Sequence, residues 1–145
     1  MKSSLLIICS LFFAQLSFAQ QQEREVYHIP GHENVENGIG YSHAIKIGKT
    51  LFIAGTVDGQ HDDMENQIKT IYKYVGDTLE HYGASSADIV KENIYTTDLE
   101  EFKKNMGLRK SFYGAGAFPT STWVQVERLF IPKLKVEIEL IAVVE

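Results

Sequence analysis

The sequence predicts one α+β domain in which helices pack on one face of a β-sheet. Between residues 64 and 82, six apolar side chains recur at intervals of three or four, the spacing of one face of an α-helix. Between residues 134 and 144, apolar residues recur at every second position, the period of a β-strand. Because the helical stripe needs a large apolar partner, we expect it to cover the sheet.

The first elements of this domain are a hairpin and a long helix. Alternating residues over 41–47, a turn at Gly48 and the apolar run 51–54 predict two paired strands. Asp63 is placed to cap the long helix, and Gly83 is placed to end it.

The second half of the chain predicts further strands and one shorter helix. Residues 89–97 are rich in β-branched side chains, and Asp98 with Glu101 suits the capping box of a helix that follows. Two strands, over 120–127 and 134–144, close the chain. The last strand has one apolar face and one that mixes charged with branched apolar residues, which is typical of a subunit interface carrying a polar site.

Residues 1–19 have the three-part pattern of a secretory signal peptide. Lys2 precedes an apolar run over 5–13, and the small residues Ser17 and Ala19 suit cleavage after Ala19. Polar residues interrupt the apolar stretch, whereas a bilayer span needs about 20 apolar residues in succession. We therefore expect a mature protein that is periplasmic or extracellular and not attached to a membrane.

Composition limits the chemistry of the mature protein. The 145-residue sequence has a net charge of −5 and no cluster of lysine and arginine suited to phosphate backbones, so nucleic acid is not an expected partner. Cys9 is the only cysteine and would be removed with the signal peptide. Thiolate catalysis, disulfides and cysteine-based metal sites are therefore not expected.

Residues 20–39 are polar and predict a leader that precedes a domain over 40–145. His32 and Glu36 are four residues apart, which on a helix would place them on one face. Breakers such as Gly38 make a helix there unexpected, so we interpret both as solvated loop residues and expect no metal site.

A set of short motifs recurs in order through residues 40–145. The motifs are Gly40-Tyr41, Ile53-Ala54-Gly55, Gln67 within the long helix, Asp88-Ile89-Val90-Lys91, Thr97-Asp98-Leu99-Glu100-Glu101-Phe102, Phe118-Pro119 and Lys135-Val136-Glu137-Ile138-Glu139. Together they resemble the Rid family, also called YjgF-like or L-PSP proteins. The resemblance implies a chorismate-mutase-like fold, in which a mixed β-sheet is backed by two α-helices on one face. It also implies a homotrimer with ligand clefts between subunits.

The resemblance further implies hydrolysis of reactive enamines and imines, such as 2-imino acids, to a keto acid and ammonia without a cofactor. Tyr41 matches the family's cleft tyrosine, and Gly55 matches the glycine whose backbone approaches the ligand. Glu137 matches the glutamate that positions water or transfers a proton. On the residues alone, Glu137 and Glu139 share a strand face about 6.6 Å apart, a separation at which paired carboxylates can do acid and base work.

One position departs from the family's pattern. In deaminase members the proline is followed by x-Arg-Ser/Thr, and the arginine binds the substrate carboxylate, but here Ser121 stands at that position. Trp123 stands where a small residue is usual. A hydroxyl cannot replace a planar, permanently charged fork. Arg128 lies seven residues farther on, an odd spacing that places it on the opposite strand face and about 23 Å away along an extended strand, so we do not expect it to replace the arginine within one chain.

Two functions therefore remain open. The first is a hydrolase or deaminase of a small reactive enamine- or imine-like metabolite, with specificity altered by Ser121. The second is a non-catalytic homotrimer that binds a small ligand at the subunit interface, through residues that include Ser121 and Trp123. A third, non-functional alternative is a stable trimer whose cleft has lost its function. We favour the first, because Tyr41 and Glu137 are polar groups with little evident structural need.

Overall fold

The computed structural model describes residues 23–116 and 118–145. The predicted signal peptide, residues 1–19, lies outside the described residues. No helix in the described part is long and apolar enough to cross a membrane.

Six strands form one mixed sheet in the order β1-β2-β3-β6-β4-β5. Neighbouring strands are antiparallel except β4 and β5, which are parallel. The strands are β1 (Arg24–Tyr27), β2 (Ala44–Ile47), β3 (Thr50–Thr56), β4 (Ile89–Thr96), β5 (Thr120–Gln125) and β6 (Val136–Val143); the helices are α1 (Glu33–Ile39), α2 (Met64–His81), α3 (Leu99–Lys104) and α4 (Met106–Tyr113).

The core lies between α2 and one face of the sheet, as the two periodicities predict. Met64, Ile68, Ile71 and Val75 on α2 are fully buried. On β6, the predicted apolar face is buried throughout, while Glu137, Glu139 and Ile141 on the other face are only half-buried. The α+β class is confirmed, and the second face of β6 remains available for a site.

Both predicted boundaries of α2 are confirmed. The Asp63 side chain accepts a hydrogen bond from the Asn66 backbone N–H at 2.9 Å. Gly83, just past the helix, has a φ of +67°, a left-handed conformation that favours glycine.

The predicted shorter helix is observed as two helices, α3 and α4, that meet at Asn105. Asp98 caps α3 by accepting from the Glu101 backbone N–H at 2.8 Å. The Asn105 side chain donates to the Glu101 carbonyl at 3.0 Å, and so competes with the backbone for the acceptor that a continuing helix would use.

The prediction of a leader over 20–39 is wrong for residues 24–39, which belong to the fold. β1 pairs with β2, and α1 forms in spite of Gly38. The cause is Glu36, which is fully buried rather than solvated and accepts the backbone N–H groups of Ile29 at 3.0 Å and His43 at 3.2 Å. These tertiary contacts outweigh the weak helix propensity of the segment.

Candidate functional site

Two adjoining cavities share the exposed side chain of Phe130. The first, here called the tyrosine cavity, has a volume of about 360 Å³ and is lined by Tyr41, Gly55 and the apolar α1 residues Val35 and Ile39. The second, here called the arginine cavity, has a volume of about 510 Å³; its lining includes Tyr95, Arg128, Glu137 and Glu139.

Gly55 and Glu137 meet where β3 pairs with β6. The pairing shifts register between Ile53 and Thr56, so Gly55 lies in an irregular stretch of β3. A Cβ atom at Gly55 would lie 1.9 Å from Glu137 Oε1 and 2.8 Å from its carboxyl carbon. Only glycine leaves room for the carboxylate in this position. Gly55 lines the tyrosine cavity and Glu137 the arginine cavity, so this contact joins the two.

The surroundings of Glu137 favour its neutral form. Burial raises the pKa of its carboxyl group, and the nearby Glu139 carboxylate raises that pKa further. A carboxyl group with a raised pKa exchanges protons closer to neutral pH, as proton-transfer catalysis requires.

Tyr41 contributes a protonated hydroxyl to the tyrosine cavity. Burial raises the pKa of Tyr41, with smaller effects from Glu36 and Glu137 in the same direction. The phenol is therefore a hydrogen-bond donor at neutral pH. Tyr41 is 39 % exposed, so a ligand in the cavity can reach it.

Glu139 is oriented by neighbouring β4 side chains. Asn93 Nδ2 donates to Glu139 Oε1 at 2.5 Å, and the Tyr95 hydroxyl lies 3.4 Å from the same oxygen. The ladder places Asn93 opposite Glu139 and Tyr95 opposite Glu137. The two acids thus stand side by side, with Glu139 held by donors.

His43, which also lines the tyrosine cavity, is a buried neutral histidine. Burial lowers its pKa to about 4. Thr78 Oγ1 donates to the Tyr74 carbonyl at 2.7 Å and lies 3.0 Å from His43 Nε2, so it accepts the Nε2 proton. Among the described residues, no three His, Asp or Glu side chains are grouped so that they could hold a metal ion.

Ser121 and Trp123 are not brought to these cavities within one chain. They lie on β5, three strands from β3, or about 14 Å at the usual strand spacing. Ser121 Oγ donates to Glu92 Oε2 at 2.9 Å, and Trp123 Nε1 donates to Ser121 Oγ at 2.7 Å. Their side chains therefore point to the helix-covered face, opposite to Glu137.

The partner of Ser121 is a buried polar cluster around Glu92. The fully buried Glu92 carboxylate accepts from the hydroxyls of Tyr72 and Tyr113, each at 2.9 Å, and from Arg109 Nε at 2.7 Å. Sequence reasoning missed this cluster. A signal was present, because Glu92 shares a strand face with buried Ile94 and a buried charge needs a partner.

Arg128 does not continue the extended strand β5. The distance inferred from the sequence assumed an extended strand through residue 127, but β5 ends at Gln125 and the chain bends at Glu127. The bend brings Arg128 into the cavity that Glu137 and Glu139 line. Its distance from Ser121 along the chain therefore does not decide whether Arg128 can act on a ligand that also contacts Glu137.

A mixed six-stranded sheet with helices on one face, and a groove carrying Tyr41, Gly55 and Glu137, define a chorismate-mutase-like α+β protein. The chain belongs to the family described as Endoribonuclease L-PSP, which includes the YjgF and Rid proteins; the family's model matches residues 33–144. The predicted family and fold are confirmed.

Alignments with three relatives cover between 70 % and 84 % of this chain. A RutC family protein of Pyrococcus abyssi is 34 % identical over 110 residues, covering 70 % of this chain and 84 % of that protein. A 2-iminobutanoate/2-iminopropanoate deaminase of Dermatophagoides farinae is 33 % identical over 116 residues, covering 72 % and 86 %. The crystal structure of a YjgF/YER057c/UK114 family member from Mycobacterium tuberculosis has a TM-score of 0.75 and 31 % identity, covering 84 % of this chain and all of that one.

Proposed function

We propose that this protein hydrolyses a small reactive imine or enamine in the groove formed by the two cavities, with Glu137 as the residue that transfers protons. The observation that carries the proposal is the Glu137 carboxyl group, which has a raised pKa and lies against the backbone of Gly55 where the cavities meet. The name of the Dermatophagoides farinae relative supports the same reaction class.

The reaction needs one group that first takes and then returns a proton. The Glu137 carboxylate accepts a proton from water while the water oxygen bonds to the carbon of the protonated imine and the C=N π electrons move to nitrogen, which gives a neutral carbinolamine. Glu137 then protonates the amino group of the carbinolamine, the C–N bond breaks and ammonia leaves, and the carbinolamine O–H returns its proton to Glu137 as the carbonyl forms. An enamine first takes a proton on carbon, which the neutral form of Glu137 can supply.

We further propose a homotrimer in which this groove lies at the subunit interface. Support comes from the sheet face that the helices do not cover, where Phe52 is 45 % exposed and Val143 48 % exposed. Ser121 supplies no positive charge, so we propose that specificity differs from that of deaminases with an arginine at this position. Tyr41 and Gly55 are the proposed ligand contacts from one chain, and we propose that Ser121 and Trp123 contact the ligand from a neighbouring subunit.

The proposed hydrolysis can be tested with imines that an amino-acid oxidase generates in the assay mixture. We expect the purified protein to accelerate keto-acid release, and Glu137→Gln to lower kcat about 100-fold or more, a typical effect of losing a proton-transfer group. Glu25→Gln is the matched control, because Glu25 lies on the edge strand β1, where it pairs with Lys46 at 2.9 Å, and does not line either cavity. Absence of acceleration by the unaltered protein would overturn the proposal.

The apolar lining of the tyrosine cavity favours a second candidate, a protein that binds a small ligand without chemistry. Val35, Ile39 and Phe130 are all more than half exposed there, and an aromatic or apolar molecule would cover them. A thermal-shift screen of small aromatic and polar metabolites separates the two. Stabilisation by a ligand, together with no turnover of any imine, would favour the binding protein.

We also propose that the protein is exported after cleavage at Ala19. The pattern of residues 1–19 motivates this. Intact-mass measurement of the protein from its native host should give a chain that begins at Gln20.

A further inference from the structure

We infer that Arg128 binds the carboxylate of the substrate, the role that Ser121 cannot fill. This inference rests on the proposed function and names a residue for it. Its basis is the position of Arg128 in the same cavity, and on the same chain, as Glu137.

Arg128 is available to a ligand. It is exposed, and none of the ion pairs within residues 23–116 and 118–145 includes it. Among the side chains that line the arginine cavity, it is the one cation. An unpaired guanidinium presents a planar fork of donors that fits a carboxylate in two places.

Three other cations in the described part of the chain already have carboxylate partners. Arg109 is 7 % exposed, pairs with Glu92, and has its guanidinium 4.9 Å from the centre of the Tyr113 ring. Lys133 lies 3.8 Å from Asp62, and Lys135 lies 3.0 Å from Glu101. Arg109 and Ser121 both donate to Glu92 Oε2, so the charge of Arg109 is already paired with a carboxylate.

The charges of the arginine cavity are complementary to those at the two ends of a 2-imino acid. Such a molecule carries a negative carboxylate next to an imine that becomes positive when protonated. Glu137 and Glu139 suit the nitrogen end, and Arg128 suits the carboxylate end. The imine carbon then lies between them, within reach of a water held by Glu137. An imine without a carboxylate would gain nothing from Arg128.

The test compares two substrates across three variants. The substrates are a 2-imino acid, made by an amino-acid oxidase, and the imine of the same side chain without the carboxylate, made by an amine oxidase. The variants are Arg128→Gln, Arg128→Lys and the control Arg24→Gln, which changes an exposed arginine on the edge strand β1.

We expect Arg128→Gln to lower kcat/KM for the 2-imino acid about 10- to 100-fold, mainly through KM, as loss of a charge-assisted contact does. The carboxylate-free imine should change less than about twofold, and Arg128→Lys should recover part of the loss because it keeps the charge. Arg24→Gln should behave like the unaltered protein.

An equal loss for both substrates, or no loss for the 2-imino acid, would overturn the role of Arg128. Hydrolysis of the carboxylate-free imine alone would also overturn it, while leaving the proposed function standing. If neither substrate is hydrolysed, the proposed function fails, and binding decides the inference. Thermal shift by 2-oxobutanoate that is lost in Arg128→Gln would support it, and a shift unaffected by that change would contradict it.

Discussion

At the scale of single residues, the site depends on how Glu137 is held. Its carboxylate occupies the space that a Cβ at Gly55 would fill, and burial together with Glu139 raises its pKa. Position and protonation thus have separate causes, Gly55 for the first and Glu139 in part for the second. Each can be changed without changing Glu137 itself.

Replacing Glu139 by Gln should move the acid limb of the pH–rate profile to lower pH. The carboxylate form of Glu137 accepts the proton from water, so activity falls as pH drops through a pKa that lies above the ordinary 4.5. Removing the neighbouring negative charge lowers that pKa, and a glutamine can still accept from Asn93. Profiles of kcat/KM between about pH 4 and pH 8 measure the shift. An unchanged limb, or one moved to higher pH, would contradict the role of Glu139.

Gly55→Ala should reduce activity with little loss of stability. The added Cβ would lie 1.9 Å from Glu137 Oε1, so the flexible end of that side chain must move away. Because a displaced proton-transfer group works poorly, we expect kcat/KM to fall about 10-fold or more. Gly107→Ala is the control, since nothing lies within 4 Å of a Cβ there. Full activity in Gly55→Ala, with the melting temperature unchanged, would show that this contact is not needed.

At the scale of elements, the sequence pattern predicted the helix that its own residues stabilise, and missed the one that depends on distant contacts. The 18-residue helix α2 has its apolar stripe, its Asp63 cap and its Gly83 end in the sequence, and all are observed. The helix α1 could not be predicted in this way, because seven residues that include Gly38 have little helix preference of their own. Buried contacts of Glu36 fix it, and those exist only after the chain has folded.

The same reason explains which parts of the site could be predicted. Tyr41, Gly55 and Glu137 carry family motifs, and the structure brings Gly55 and Glu137 together. Arg128 could not be placed, because its position depends on a bend after β5 that no residue pattern indicated. Nor could Ser121, whose bond to Glu92 depends on two elements far apart in sequence.

Gly76→Ala should stabilise the long helix α2. Glycine inside a helix is less favourable than alanine by roughly 0.5–1 kcal/mol. A Cβ at Gly76 would meet Phe112 at 3.9 Å, an ordinary van der Waals contact. Chemical denaturation should therefore show a gain of about that size. Gly83→Ala should do the opposite, because Gly83 has a φ of +67°. A loss of stability in Gly76→Ala would mean that the helices cannot accommodate the methyl group.

At the scale of the whole molecule, the strand order decides where chemistry can occur. β6 lies at the centre with β3 and β4 on either side, so Glu137 and Glu139 project from the middle of the sheet face that the helices leave uncovered. Gly55 reaches them from β3, and Asn93 and Tyr95 reach them from β4. The candidate site is therefore formed by the sheet's central strand pairings, while the buried Glu92 cluster lies on the other face and joins β4 to the edge strand β5.

The uncovered sheet face leads to a prediction about assembly. Phe52 lies on β3 opposite Ile141 of β6, on the face away from the core, and is 45 % exposed. A face of this kind is stabilised when it packs against copies of itself. We therefore expect the purified protein to be a trimer by light scattering, and Phe52→Glu to give monomers, because burying three carboxylates together is unfavourable. Lys104→Glu, which adds an acid at an exposed position of α3, should leave the trimer intact.

If the site lies between subunits, the Phe52→Glu monomer should also lose imine hydrolysis while its circular dichroism spectrum is unchanged. A Phe52→Glu protein that remains trimeric would show that this face is not the interface, and an active monomer would show that one chain holds the whole site.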